Sequence, residues 1–218
     1  MSDISRRVWL GTLGMAPVAG AVVAWAESRR SGTASASGPK LSPRERIQKK
    51  NLPNLGLVTH DGRRVRFYDD LVKDKKVVIN FMYAECEGIC SPVTANLVQV
   101  QKMLGDRVGR EIFFYSITLK PDEDTPEDLQ HYAQMHRVGP GWFFLTGQPA
   151  DIELLRRALG FAFSDPAEDA DKSNHTGMIR YGIEAEMRWG ACPGMATPGH
   201  IFRSIVWDLD APIPSRAG

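Results

Sequence analysis

Two cysteines four positions apart, Cys86 and Cys90, have the residue type and spacing for redox or metal chemistry. They follow a continuous apolar run at 77–83 and precede Ser91-Pro92, which is typical of a loop between a buried strand and a helix. A helix N-terminus stabilises negative charge, so this position favours thiolates over thiols with the ordinary pKa of about 8.5. The pair can therefore close a disulfide or present two sulfurs to one metal ion.

A purely structural disulfide is one alternative for this pair in an exported protein. In the chain-entropy treatment, a bridge across so short a loop restricts the unfolded chain by only about 2 kcal/mol, less than a long-range bridge supplies. The short spacing therefore favours a chemical role over a structural one.

A metal held by two thiolates needs a further ligand from elsewhere in the chain. Among the five histidines, His175 stands apart, because it ends a polar acidic loop and directly precedes an apolar strand. A lone histidine also suits a surface or capping position, so the residues by themselves leave its role open. Cys192, the third cysteine, is predicted to be a packed, inert thiol; a mixed disulfide or a second soft ligand with Met195 are the alternatives.

The first 26 residues have the layout of an export signal, with Arg6-Arg7, an apolar stretch and small residues at Ala24 and Ala26. The segment around the arginine pair resembles a twin-arginine signal. An uncleaved membrane anchor is the alternative, since about 18 to 20 apolar residues can span a bilayer. Both interpretations place the rest of the chain outside the cytoplasm.

Three segments are predicted along the 218 residues: the signal or anchor at 1–26, a flexible linker at 27–50 and one folded domain at 51–210. The linker prediction rests on a composition rich in Ser, Gly, Ala, Lys and Arg. A net charge of +1 gives no electrostatic attraction to nucleic acid, which is therefore not an expected partner.

Strands alternate with helices in the predicted domain, which indicates an α/β fold with a central mixed sheet flanked by helices. An Asp-Gly pair at 61–62 predicts an N-terminal β-hairpin, and Gly182 is predicted as the turn of a second hairpin. The predicted strands are 55–59, 64–68, 77–83, 111–119, 142–145, 178–181 and 184–188, and the predicted helices are 91–104, 126–136, 152–159 and 200–207. Asp124 or Thr125 is predicted to cap the helix that begins at Pro126.

Three ordered motifs carry a resemblance to the Sco/SenC family, and the resemblance covers roughly 55–205. They are the strand 77–83 with Cys86-x3-Cys90 and Pro92-x-Thr94, the block 116–127 with its Asp-Thr-Pro turn, and Asn174-His175-Thr176. Lys120 and Asn174 both stand where the family often has aspartate. Neither departure removes one of the expected metal ligands.

The resemblance implies a thioredoxin-like fold in which Cys86, Cys90 and His175 hold copper as Cu(I), Cu(II) or both. It implies a non-enzymatic metallochaperone that delivers copper to the CuA centre of a terminal (cytochrome c) oxidase during assembly. The expected partners are the oxidase subunit that carries CuA and another periplasmic copper chaperone or a thiol reductant. The expected location is the periplasm or the outer face of the cytoplasmic membrane.

A thiol-disulfide oxidoreductase is the competing function, in which Cys86 and Cys90 reduce cysteines of a copper acceptor without help from His175. A peroxidase shares the thioredoxin-like scaffold, but its reactive cysteine normally lies in a different local motif. Paired cysteines with a distant histidine suit a metal better than a peroxide.

Overall fold

The computed structural model describes residues 41–171 and 177–211, so the predicted signal, most of the predicted linker and His175 lie outside the described residues. The described helices are α1 (Pro43–Asn51), α2 (Cys90–Leu104), α3 (Pro126–Met135), α4 (Pro149–Ala158), α5 (Pro166–Ala170) and α6 (Pro198–Asp210). The described strands are β1 (Gly56–Thr59), β2 (Arg64–Arg66), β3 (Lys76–Met82), β4 (Ile112–Thr118), β5 (Trp142–Gly147), β6 (Met178–Ile183) and β7 (Arg188–Pro193). None of these helices has the length and apolarity needed to cross a membrane.

Within the described residues the strands form one mixed sheet in the order β2-β1-β5-β4-β3-β6-β7. Strands β3, β4 and β5 are parallel, whereas β6 and β7 join one side of them and β1 and β2 the other in antiparallel pairing. The α/β prediction is therefore confirmed. The predicted N-terminal hairpin is confirmed as well, with Gly62 at a φ of +81° in its turn.

Strand β3 is buried along nearly its whole length, as its apolar sequence predicts. Every residue from Val77 to Met82 is at most 4% exposed. Helices cover both faces of the sheet beside it: on β6, Tyr181 interacts with Asp208 of α6, while Arg180 next to it donates to the carbonyl of Leu159 after α4. Because neighbouring residues of a strand point to opposite faces, the two helices lie on opposite sides.

Two predictions of local structure are wrong. Residues 43–50, predicted as linker, belong to α1, where Ser42 caps the helix in a capping box with Glu45, and Arg44 pairs with the buried Glu184 at 2.9 Å.

The second hairpin does not turn at Gly182. That glycine lies inside β6, where a Cβ would meet the Arg188 carbonyl at 2.5 Å, and the turn follows at 184–187.

A buried ion pair fixes the segment between α4 and α5. Arg156 donates two hydrogen bonds of 2.6 Å to Asp169, and both side chains are at most 4% exposed. Arg156 also donates to the carbonyl of Phe161, while Asp169 accepts from the amide of Phe163. The guanidinium of Arg156 holds the pKa of Asp169 well below its ordinary value. This cluster therefore orders the chain that leads to residue 171.

Replacing Asp169 with asparagine removes the buried carboxylate that pairs with Arg156 and keeps the side-chain shape, so that Arg156 retains only the half-exposed Glu153 as a partner. Because the Arg156 charge is then only partly compensated, we expect the free energy of unfolding at pH 7 to fall by about 2 kcal/mol. The lowered pKa of Asp169 contributes stability above its unfolded pKa of about 3.9, and this is lost as the pH falls towards the folded value. In urea unfolding, the difference in the free energy of unfolding between the parent and Asp169→Asn should therefore become smaller below about pH 4.

The matched control is Glu168→Gln, an exposed position on the same short helix. We expect it to change the free energy of unfolding by less than about 0.5 kcal/mol. An equal loss in both variants would contradict a specific role for the ion pair.

Candidate metal centre

The cysteine loop lies at the carboxyl end of β3. The strand ends at Met82, Cys86 lies in the following loop, and Cys90 is the first residue of α2. In open α/β sheets this edge collects functional groups, because the loops and helix N-termini converge there. The structure therefore places both predicted cysteines together at the expected edge of the sheet.

The Cys86 sulfur is half-buried and accepts several hydrogen bonds. Its donors are the Cys90 thiol, the Tyr83 hydroxyl and the backbone amides of Cys90 and Gly88. Burial by itself would raise the pKa of Cys86, but these donors lower it below the ordinary thiol value. Cys86 is therefore the sulfur that most readily carries negative charge.

The environment of the Cys90 sulfur raises its pKa, in contrast to that of Cys86. Cys90 is 1% exposed, and burial is the largest cause that raises its pKa, followed by its hydrogen bond to Cys86. The environment thus favours a thiolate at Cys86, as the helix N-terminus predicts, whereas burial opposes a thiolate at Cys90. All three cysteines of the chain are described, and they are present as thiols.

Asp124 ties the cysteine loop to the neighbouring strand. Its carboxylate, 4% exposed, accepts from the backbone amide of Ala84 at 3.2 Å and from the hydroxyl of Thr118 at the end of β4. Burial raises the pKa of Asp124. The sequence suggested Asp124 or Thr125 as the cap of α3; Thr125 is the cap, which leaves Asp124 to hold the loop.

A second connection reaches the loop from the start of β6. The φ of Gly177 is +57°, and a Cβ built on it would lie 2.5 Å from the Ile89 side chain, next to Cys90. The Gly177 carbonyl accepts from the amide of Gly194, and Asn96 of α2 donates to the carbonyls of Gly194 and Ala196. Gly177, the first described residue after 172–176, is therefore packed against the cysteine loop.

The approach to the loop from α3 is a cavity of about 420 Å³ with acidic walls. Glu85, Glu123 and Asp128 contribute carboxylates, and the side chain of Met135 is 61% exposed at its edge. The surface between the start of the loop and α3 therefore carries several negative charges.

The predicted histidine ligand, His175, lies outside the described residues, so the structure leaves that prediction as it stands. Within 41–171 and 177–211, no cluster of three or more histidine, cysteine or acidic side chains has metal-binding geometry. His60 has a structural role, since its ring accepts a hydrogen bond from the Phe144 amide. Cys192 is 4% exposed in β7, and burial raises its pKa to about 11, which agrees with a packed thiol.

Sequence reasoning did not find the contact between Tyr83 and Cys86. Tyr83 is the last residue of the predicted strand, and its apolar ring looked like part of the core. The ring is indeed 6% exposed, yet its hydroxyl reaches the Cys86 sulfur. A tyrosine three residues before a reactive cysteine is a signal that could have suggested this contact.

The sheet and its flanking helices, with two cysteines at the entry of α2, define a thioredoxin-like domain. The SCO1/SenC family profile matches residues 45–192. Because this match covers more than half of the chain, the chain belongs to the SCO1/SenC family.

Two relatives and one solved structure illustrate the match. A Stutzerimonas stutzeri protein named for copper binding is 28% identical over 141 residues, 64% of this chain and 65% of the relative. The SCO1 protein homolog of Bacillus subtilis is 30% identical over 89 residues, 40% of this chain and 44% of the relative. The chain thus spans less than two thirds of the length of either relative.

The fold resembles that of yeast Sco1, which was solved with copper bound. The TM-score is 0.60 at 19% sequence identity, and the match covers 73% of this chain and 88% of the yeast chain. This similarity confirms the thioredoxin-like fold. Copper, the metal expected from the sequence, is the metal bound in that structure.

Alkylation of the reduced chain should separate the cysteines. Because Cys86 is half-buried with a lowered pKa, we expect iodoacetamide to modify it about tenfold or more faster than Cys90 or Cys192. Mass spectrometry of the digested chain measures the three rates. Cys86→Ser is the control and should leave only slow labelling; faster modification of Cys90 in the native chain would contradict the assignment.

Proposed function

We propose that this chain is a copper metallochaperone that holds one copper ion through Cys86, Cys90 and His175 and delivers it to the CuA centre of a terminal oxidase during assembly. The observation that carries the proposal is the adjacent pair of thiols at the end of β3, of which Cys86 is acidified and half-exposed. Soft thiolates favour Cu(I), and an imidazole completes a site that also tolerates Cu(II).

The described neighbours of the undescribed stretch support His175 as the third ligand. Gly177, two residues after His175, packs against Ile89 beside Cys90. Asp171, four residues before it, is near enough to Tyr83 to raise the pKa of that hydroxyl, together with the larger effect of its hydrogen bond to Cys86. Two residues span at most about 7 Å, so the chain length allows the imidazole to reach the cysteine pair.

The unequal thiols suit a protein that must release its metal. Cys90 is enclosed by the fold, whereas Cys86 is accessible from outside. A thiolate of an acceptor protein can therefore displace Cys86 from copper first, while Cys90 and His175 still hold the ion, and further ligands of the acceptor then displace His175 and Cys90. Each step exchanges one copper–ligand bond for another and needs no oxidant or reductant.

The proposed location is outside the cytoplasm, in the periplasm or anchored to the outer face of the cytoplasmic membrane. The twin arginine at 6–7 and the apolar stretch after it support this location. The proposed partners are the oxidase subunit that carries CuA and another copper chaperone or a thiol reductant of the same compartment.

The hydrogen bond from the Cys90 thiol to the Cys86 sulfur favours a second candidate function, thiol-disulfide exchange. The Cys86 thiolate would attack a disulfide of a partner, form a mixed disulfide and release one partner thiolate. Cys90, after losing its proton to water, would then attack the Cys86 sulfur and release the second thiolate. The partner gains two electrons, and the chain is left with a Cys86–Cys90 disulfide.

Copper binding to the reduced full chain tests the proposed function. We expect one tightly bound copper per chain, and His175→Ala should weaken binding at least about tenfold because a ligand is lost. Cys86→Ser should weaken it further, since a thiolate is the preferred ligand of Cu(I). Competition with a chromophoric copper chelator measures each affinity.

His200→Ala is the matched control, because His200 is exposed on α6 and belongs to no predicted site. It should bind copper as the parent does. If binding is weak, or is as tight in His175→Ala as in the parent, the thiol-disulfide function replaces the chaperone.

A further inference from the structure

The hydrogen bonds around Cys86 bear on the charge of any metal that it holds. The Cys90 thiol must lose its proton when both sulfurs bind metal, but the Tyr83 hydroxyl and the amides of Gly88 and Cys90 remain as donors to Cys86. A hydrogen bond to a ligating thiolate withdraws electron density from the sulfur and reduces its donation to the metal. Such donors therefore disfavour Cu(II) relative to Cu(I).

The positively charged side chain of Lys120 lies next to Tyr83. The ammonium of Lys120 lies 4.7 Å from the centre of the Tyr83 ring, whose hydroxyl reaches Cys86. Its pKa is raised, first by its hydrogen bond to Glu123 and also by the charge of Cys86, so it stays cationic at neutral pH. A cation near a metal centre opposes the extra positive charge of Cu(II) relative to Cu(I).

The backbone fixes Lys120 in this place. Its amide donates to the Thr118 hydroxyl at 2.9 Å, and that hydroxyl donates to Asp124, which also accepts from Ala84 in the cysteine loop. Lys120 thus belongs to the same hydrogen-bonded network as the residues that lead from Tyr83 to Cys86.

Several carboxylates near the loop oppose the charge of Lys120. Glu123 binds Lys120 at 2.9 Å, but its side chain is 62% exposed against 32% for the lysine, so water screens the carboxylate more strongly. Glu85 and Asp171 are exposed as well, and the carboxylate of Asp124 accepts hydrogen bonds from the Ala84 amide and the Thr118 hydroxyl. These carboxylates therefore offset only part of the Lys120 charge at the sulfur.

We propose that Tyr83 and Lys120 set the oxidation state of the bound copper by favouring Cu(I) over Cu(II) at the Cys86–Cys90 pair. This role rests on the proposed function, since it concerns copper held by the two cysteines. The step is the reduction of Cu(II) to Cu(I) by one electron from an external reductant such as ascorbate. Tyr83 and Lys120 are positioning residues in this role, because they act through the Cys86 sulfur.

Tyr83→Phe and Lys120→Met in the full chain test the inference. Each removes one favourable interaction with the electron-rich Cu(I) site, so we expect the ratio of Cu(II) affinity to Cu(I) affinity to rise about tenfold. A tenfold change corresponds to a midpoint potential about 59 mV lower for this one-electron couple. An anaerobic redox titration, with the copper–thiolate absorption as the signal, measures the potential directly.

Two further variants separate charge from structure. Lys120→Arg keeps the cation and should keep a potential near that of the parent. Lys102→Met removes an exposed lysine from the last turn of α2, at the far end of the helix from Cys90, and should leave the potential unchanged. Thermal unfolding of the metal-free variants checks that each one folds.

The outcomes distinguish this inference from the proposed function. If all variants bind one copper and the potentials of Tyr83→Phe and Lys120→Met equal that of the parent, the inference is wrong while the proposed function stands. If Lys102→Met lowers the potential as much as Lys120→Met, the effect is not specific and the inference is again wrong. If the parent binds no copper, the proposed function fails and the inference with it.

Discussion

The hydrogen bonds of Asp124 join the two parallel strands whose ends support the cysteine loop. One carboxylate receives the amide of Ala84 after β3 and the hydroxyl of Thr118 at the end of β4. A buried carboxylate is tolerated only when such donors replace the water that it has lost. The same arrangement brings the segment that carries Lys120 beside the loop, so the position of the loop and the electrostatics around it have a common origin.

The two cysteines of the pair are chemically unequal because the fold treats their positions differently. Cys90 opens α2 and faces the core, where burial disfavours its thiolate. Cys86 lies outside the helix and accepts hydrogen bonds from amide and hydroxyl groups around the loop. The contrast follows from the turn of chain between them, which lets a single helix N-terminus serve one sulfur and the hydrophobic core enclose the other.

The sequence was sufficient for the fold class and for the two cysteines, because the apolar run of β3 and the helix after Pro92 are strong local signals. It was less successful for elements whose structure depends on long-range contacts. Helix α1 has a polar sequence and is held in part by Arg44 pairing with the distant Glu184, which no local pattern reveals.

Residues of the site that depend on distant partners also escaped sequence reasoning. The residues around Asp124 predict a helix cap, whereas in the structure its carboxylate accepts a hydrogen bond from the Ala84 amide and holds the cysteine loop. Gly182 reads as a turn, although it is required inside β6 because the Trp189 ring leaves no room for a side chain. The place of His175 was inferred from a family motif and stays a prediction.

The burial of Cys90 and Cys192 also determines what oxidation does to a population of these molecules. Among its three thiols the chain offers the solvent one reactive sulfur, and the nearest thiol to that sulfur belongs to the same molecule. Oxidation should therefore close a ring within one chain faster than it links two chains, even at high concentration. The burial of two of the three thiols thus disfavours covalent dimerisation under oxidising conditions, despite the odd number of cysteines.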